Sequence, residues 1–146
     1  MSLDPDGDDL ARRSAEAMWA GDAASQALGM EVVGVGLGTA TLRMAVRADM
    51  INGWDLCHGG LIAALADSAF AFACNSRGTV TVASGFDVTF LESARLGDEL
   101  VAVAVERSLR GRSGLYDVTV TRASDDTTIA EFRGRSRATN RTSPTL

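Results

Sequence analysis

One stretch limits the folds open to this chain more than any other. Leu61 to Cys74 reads Leu-Ile-Ala-Ala-Leu-Ala-Asp-Ser-Ala-Phe-Ala-Phe-Ala-Cys, strong helix formers that are apolar nearly all the way round. A helix without a polar face has to be covered on several sides, and its alanines let a sheet approach closely. His58-Gly59-Gly60 opens the run and Asn75-Ser76-Arg77-Gly78 closes it. Gly78 suits the position just past a helix end, and Arg77 complements the negative end of the helix dipole.

The flanking segments supply the cover. After Gly78, Val80–Leu91, Glu99–Leu109, Gly114–Arg122 and Thr128–Thr139 read as four long strands joined by Gly- or Asp-containing turns. Tyr116, Val118 and Val120 alternate against Asp117, Thr119 and Thr121, so one face is core and the other wet. Before the apolar run, Leu10, Ala11, Ala15, Met18 and Trp19 recur at helical spacing, with Asp8 or Asp9 as N-cap. Asp22–Leu28 is a further short turn of helix. Met30–Leu37 reads as a strand, and Gly38 turns it into a second one, with Ala40, Leu42, Met44 and Val46 on one face. Asp49–Cys57 reads as a loop. The order predicts an α+β domain over residues 8–140, a six-stranded antiparallel sheet wrapped around one long central helix. Polar tails, 1–7 and 141–146, are expected to be mobile.

Composition narrows the function. The 146 residues suit one domain, and 46% hydrophobic with 23% charged residues excludes global disorder. All the positive residues are arginines, which excludes a Schiff-base or P-loop lysine. A net charge of −5 speaks against a nucleic-acid partner. No apolar run is long enough for a membrane span, and the acidic N-terminus is not that of a signal peptide. Two cysteines, Cys57 and Cys74, suit a reducing cytoplasm rather than a disulfide framework. One histidine and no clustered ligands predict no metal.

Two features carry chemistry. Asp67, inside the apolar run, is the one carboxylate between His58 and Arg77. It is either a structural group satisfied by amides or an arginine, or a general base or nucleophile in a dry site. His58-Gly59-Gly60 is either a tight turn into the helix or a place where free N–H groups receive an oxyanion. Gly59 and Asp67 are separated by about 12 Å along a helix, so they cannot meet one carbonyl carbon from the same helix. If both act, the site is shared between two chains. A Cys57–His58 nucleophile pair is disfavoured because adjacent residues rarely face each other. Arg133, Arg135 and Arg137 share one strand face, either as a phosphate-binding row or as a solvated surface. Trp19, Phe70 and Phe72 read as core or pocket wall.

The stretch Met50-Ile-Asn-Gly-Trp-Asp-Leu-Cys-His-Gly-Gly60 and the segment Leu65-Ala-Asp-Ser-Ala-Phe-Ala-Phe-Ala-Cys-Asn-Ser-Arg-Gly78 resemble the PaaI family of hot-dog thioesterases. Val82-Ala-Ser84, Asp87–Leu91, Leu96-Gly-Asp98 and Phe132-Arg-Gly-Arg-Ser136 extend the resemblance over residues 14–138. The resemblance implies a hot-dog fold and hydrolysis of aryl-acyl (phenylacetyl-type) or related acyl-CoA thioesters without a cofactor. It also implies paired protomers assembled as a homotetramer, a dimer of dimers. It assigns Asp67 as the catalytic carboxylate, the Gly59 N–H as oxyanion donor, and Asn52 and His58 as residues orienting the loop and the substrate carbonyl. Gly60, Ser84, Arg135 and Arg137 are the candidate substrate contacts. The chain departs from the family at Leu91-Glu-Ser-Ala, where relatives commonly carry Leu-Arg-Pro, and at Arg137, where many have His. Both departures bear on CoA contacts and acyl preference. A hot-dog hydratase or dehydratase, or a non-catalytic acyl-CoA-binding module, are the competing readings; a pure binder has no reason to bury Asp67.

Overall fold

The computed structural model describes residues 5–143. Helix α1 spans Pro5–Gly21 and α2 Ala23–Ala27, followed by strands β1 (Glu31–Gly36) and β2 (Thr39–Ala45). A 3₁₀ turn at Ala48–Met50 leads to α3 (Gly59–Cys74). The last four strands are β3 (Thr79–Phe90), β4 (Glu99–Arg110), β5 (Ser113–Arg122) and β6 (Thr128–Thr142). The strands form one antiparallel sheet in the order β1-β2-β4-β5-β6-β3. The six-stranded sheet around one central helix is the arrangement expected from the sequence.

The ends of two elements differ from expectation. Helix α1 begins at Pro5, so Asp8 and Asp9 lie inside it rather than capping it. Asp9 instead pairs with Arg12 and Arg13 along the helix surface. Residues 5–7, expected in a tail, are helical, and β6 runs on to Thr142. The rest of the two expected tails, 1–4 and 144–146, lies outside the described residues.

Helix α3 buries Ile62, Leu65, Ala66, Ala69, Phe70, Phe72 and Ala73. It packs onto the inner sheet face of Leu42, Met44, Leu100, Ala102, Val118, Val120 and Phe132, all buried. Each large side chain removed from water there contributes about 1.5–3 kcal/mol. The period-two pattern of β2 and β5 survives intact as the buried rows Ala40, Leu42, Met44 and Tyr116, Val118, Val120.

The C-terminus of α3 is closed differently from the expectation. Asn75, not Gly78, follows the last helical turn. Its amide donates to the carbonyls of Ala71 and Thr81, while its Oδ1 accepts from the Thr81 N–H. The Ser76 hydroxyl donates to the Ala73 carbonyl and accepts from the Gly38 N–H. Gly78 takes its left-handed φ of 82° in the turn beyond. Arg77 reaches Glu106 of β4 instead of the helix end. These bonds tie α3 to β3 and to the β1–β2 turn, and so fix the height of Asp67 over the sheet.

The fit between α3 and the sheet is close at one point. A Cβ at Gly134 would stand 2.9 Å from each of three Phe70 ring carbons. Phe70 is itself wedged against Tyr116 and Phe132, at ring-centroid distances of 5.5 and 5.8 Å. Gly134→Ala is therefore expected to lower unfolding stability by about 1–3 kcal/mol through overpacking. Gly53→Ala, where a Cβ meets nothing within 4 Å, should stay within about 0.5 kcal/mol of the parent. Urea melts of the two variants check this, and equal midpoints would contradict it.

Candidate active site

The loop before α3 is organised by Asn52. Its Oδ1 accepts from the Trp54 and Leu56 N–H groups, at 2.9 and 3.2 Å, and its own N–H donates to the Leu56 carbonyl. Asp55 sits at φ 61° to close this loop, and a short bridge between Ile51 and Cys57 clamps its base. Asn52 thus holds the approach to the helix by both side chain and backbone.

His58 is the N-cap of α3. Its backbone N–H donates to the Met50 carbonyl at 2.8 Å, and its Nδ1 accepts from the Gly60 N–H at 3.3 Å. An accepting Nδ1 is unprotonated, so the neutral ring carries its hydrogen on Nε2. Of the N–H groups at the helix start, that of Gly60 is spent on the cap. The Gly59 N–H has no acceptor among the described residues. No acidic side chain sits in the first turn of α3 to compete for its positive end.

Asp67 lies two turns further along the same helix, half-buried. Its carboxylate has no hydrogen bond or ion pair among the described residues, although a structural role would call for one. Burial raises its pKa from the ordinary 3.8, with no opposing partner. The neighbouring Ser68 hydroxyl is taken by Ser25 of α2 at 2.9 Å. Both cysteines are buried, and burial raises both thiols, Cys74 to about 12 with the charge of Asp67 as a lesser cause. Neither is an activated nucleophile. The contact of the Cys57 Sγ with its neighbour is to the His58 carbonyl, not the ring.

Gly59 and Asp67 belong to one helix, so a single chain keeps them about 12 Å apart along its axis. The strand that ends beside Gly59 is uncovered. Strand β3 is a sheet edge, and most of its residues are exposed on both faces. Phe86 and Phe90, half-exposed, stand there; Phe86 stacks on buried Phe132 at 4.7 Å. The sequence reading missed these rings, though the alternation Phe86, Val88, Phe90 was there to be read. Ser84 sits at a bulge in β3, between Ala83 and Gly85, and its hydroxyl donates to the Arg135 carbonyl at 3.2 Å.

The arginine row shares the outer sheet face as expected, but most of it is neutralised. Arg133 and Arg107 both pair with Asp117, and Arg135 pairs with Asp87 at 2.9 Å. Arg137 has no carboxylate partner among the described residues and donates to the Ser113 hydroxyl. Trp19 and Phe72 are core neighbours, with centroids 6.4 Å apart. A cavity of about 960 Å³ lies between α1 and β1 and includes no residue of α3 in its lining. Its Asp9, Arg12, Glu16 and Glu31 already form ion pairs. No group of three potential metal ligands occurs among the described residues, and no described helix is long and apolar enough to cross a membrane.

A six-stranded antiparallel sheet wrapped on one central helix is the hot-dog fold. The sequence model of the Thioesterase superfamily matches residues 55–129. The acyl-coenzyme A thioesterase PaaI of Escherichia coli K12 is 41% identical over 85% of this chain and 88% of its own length. The structure of the E. coli PaaI protein from the phenylacetic acid degradation operon superposes with a TM-score of 0.90 at 39% identity, covering 92% of this chain and 97% of that one. A mutant form of the phenylacetic acid degradation protein PaaI from Thermus thermophilus gives 0.74 at 35% identity, over 77% and 96%. The chain belongs to the thioesterase superfamily and is of the PaaI type.

The raised pKa of Asp67 has a consequence for stability. The folded state holds this proton more tightly than the unfolded chain, so the contribution is full below pH 3.8 and is lost as pH rises through the folded pKa. Asp67→Asn cannot ionise. Its urea midpoint is expected to exceed the parent's at about pH 8, with the gap closing toward about pH 4. A gap that does not change with pH would contradict the assignment.

Proposed function

We propose that this chain hydrolyses acyl-CoA thioesters, with Asp67 of one protomer and the Gly59 N–H of its partner acting on the same carbonyl. The observation that carries this reading is the pair itself: a carboxylate with no internal partner and an unused N–H, fixed too far apart on one helix to serve one substrate. A second copy laid along the exposed β3 edge would bring the start of its α3 toward Asp67. The working unit of this reading is a cytoplasmic dimer, or dimer of dimers.

Asp67 acts as general base. It takes a proton from water as the water oxygen bonds to the thioester carbon and the carbonyl oxygen gains negative charge. The Gly59 N–H and the positive end of α3 stabilise that charge. The tetrahedral species then collapses, the carbon–sulfur bond breaks, and the leaving CoA thiolate receives the proton from Asp67. The alternative for the same carboxylate is direct attack on the carbon, giving an anhydride that water opens. The His58 Nε2–H is a further donor at the carbonyl, while Asn52 holds the loop that presents it. Ser84 on its bulge and the uncommitted Arg137 are the substrate and phosphate contacts this reading favours; Arg135, already paired with Asp87, is the weaker one. Gly60 serves through the cap. Phe86, half-exposed on β3 and stacked on Phe132, is the ring this reading places against an aryl-acyl group.

Asp67→Asn tests the role of the acid. Release of free CoA thiol should fall about 10²–10⁴-fold, with folding and acyl-CoA binding retained. In the parent, turnover should fall on the acid side with an apparent pKa above 3.8, where Asp67 takes up its proton. Turnover of the variant within a few-fold of the parent would make Asp67 structural.

A further inference from the structure

The ring of Phe90 stands against the side of Gly59 where a Cβ would be, and no step of the proposed hydrolysis uses it. Phe90 closes β3 opposite Ala130 of β6, beyond Val88. A Cβ built on Gly59 would lie 3.0 Å from the Phe90 Cζ, 3.2 Å from Cε2 and 3.5 Å from Cε1. Any other residue at position 59 would begin its side chain against this ring, and even a methyl group would require the ring to give by a few tenths of an ångström. Backbone conformation does not explain the glycine, because Gly59 is not among the described glycines with positive φ. Its neighbour Gly60 meets no such obstacle, only the His58 ring at 3.4 Å and beyond.

The rest of the ring is not buried: Phe90 is 48% exposed, at the uncovered edge beside the start of α3. A first turn held in place keeps its N–H aimed at the developing charge, and a preorganised donor stabilises that charge more strongly.

We infer that Phe90 is a positioning residue for the oxyanion site: its ring braces the first turn of α3 and is the reason that position 59 takes glycine. The inference rests on the reading of Gly59 as the oxyanion donor. The ring acts through the N–H and does no chemistry itself.

Four variants test this with acyl-CoA substrates: Phe90→Ala, Phe90→Leu, Gly59→Ala, and Gly59→Ala combined with Phe90→Ala. Removing the ring should lower kcat about tenfold or more with little change in KM, since the donor acts on the transition state. Phe90→Leu, still apolar, should recover most of that loss. Gly59→Ala keeps its N–H but collides with the ring, and should lose about 10²-fold. The double variant should return to the level of Phe90→Ala, because alanine fits once the ring is gone. A Phe90→Ala enzyme with the parental kcat, a Gly59→Ala enzyme as active as the parent, or a double variant no better than Gly59→Ala would each overturn the inference. The melting temperature supplies a readout free of catalysis: it should drop in Gly59→Ala and recover in the double variant. If the parent hydrolyses no acyl-CoA, or Asp67→Asn is fully active, the thioesterase reading fails, and the melting series still decides whether the ring dictates the glycine.

Discussion

The structure depends on one constraint: a helix that is apolar nearly all round has to be enclosed, and this one carries a carboxylate. Enclosure by water-facing loops would leave their backbone groups unsatisfied, so a sheet curls around it instead. The inner rows of β2, β4, β5 and β6 present Leu42, Ala102, Val118 and Phe132 to α3, and Gly134 yields the room that Phe70 needs. Asp67 rides in this helix without a compensating partner among the described residues. Holding it there carries the free-energy cost of a poorly solvated carboxylate, a feature that recurs where a group is kept reactive rather than satisfied.

Much of this was legible in the sequence. The buried helix declared itself by composition, and β2 and β5 by strict alternation, because period and propensity are local properties. Asp67 stood out for the same reason, as a charge where the pattern has none. The local pattern was silent wherever the answer depended on distant contacts. Asn75 ends α3 because β3 brings the Thr81 backbone within reach of its amide. Arg133 and Arg135 lose their availability to Asp117 and Asp87, partners set by strand register across the sheet. The Gly60 N–H is consumed by a histidine two residues away, a capping geometry that the motif His-Gly-Gly does not reveal. Phe90 acquires its meaning only when β3 ends beside the start of α3.

The exposed edge ties these observations to assembly. A twelve-residue strand exposed on both faces, with half-covered phenylalanines, is a surface that proteins seldom leave unpaired. Its last residue, Phe90, lies against Gly59, one of the two groups that one chain holds apart. In the proposed mechanism the same surface would answer two needs, the covering of β3 and the meeting of an acid with an N–H. A homodimer related by a two-fold axis satisfies both twice, once at each of two equivalent sites.

Mixing two inactive chains tests this most directly. One carries Asp67→Asn, and the other Gly59→Val, whose side chain collides with the Phe90 ring. If each site takes Asp67 from one protomer and Gly59 from the other, a mixed dimer holds one intact site and one doubly damaged site. Random re-pairing makes about half the dimers mixed, so about one quarter of parental thioester hydrolysis should return. Activity that stays at the sum of the two inactive parents after verified exchange would show that each chain builds its own site, and would contradict the shared site at the centre of this mechanism.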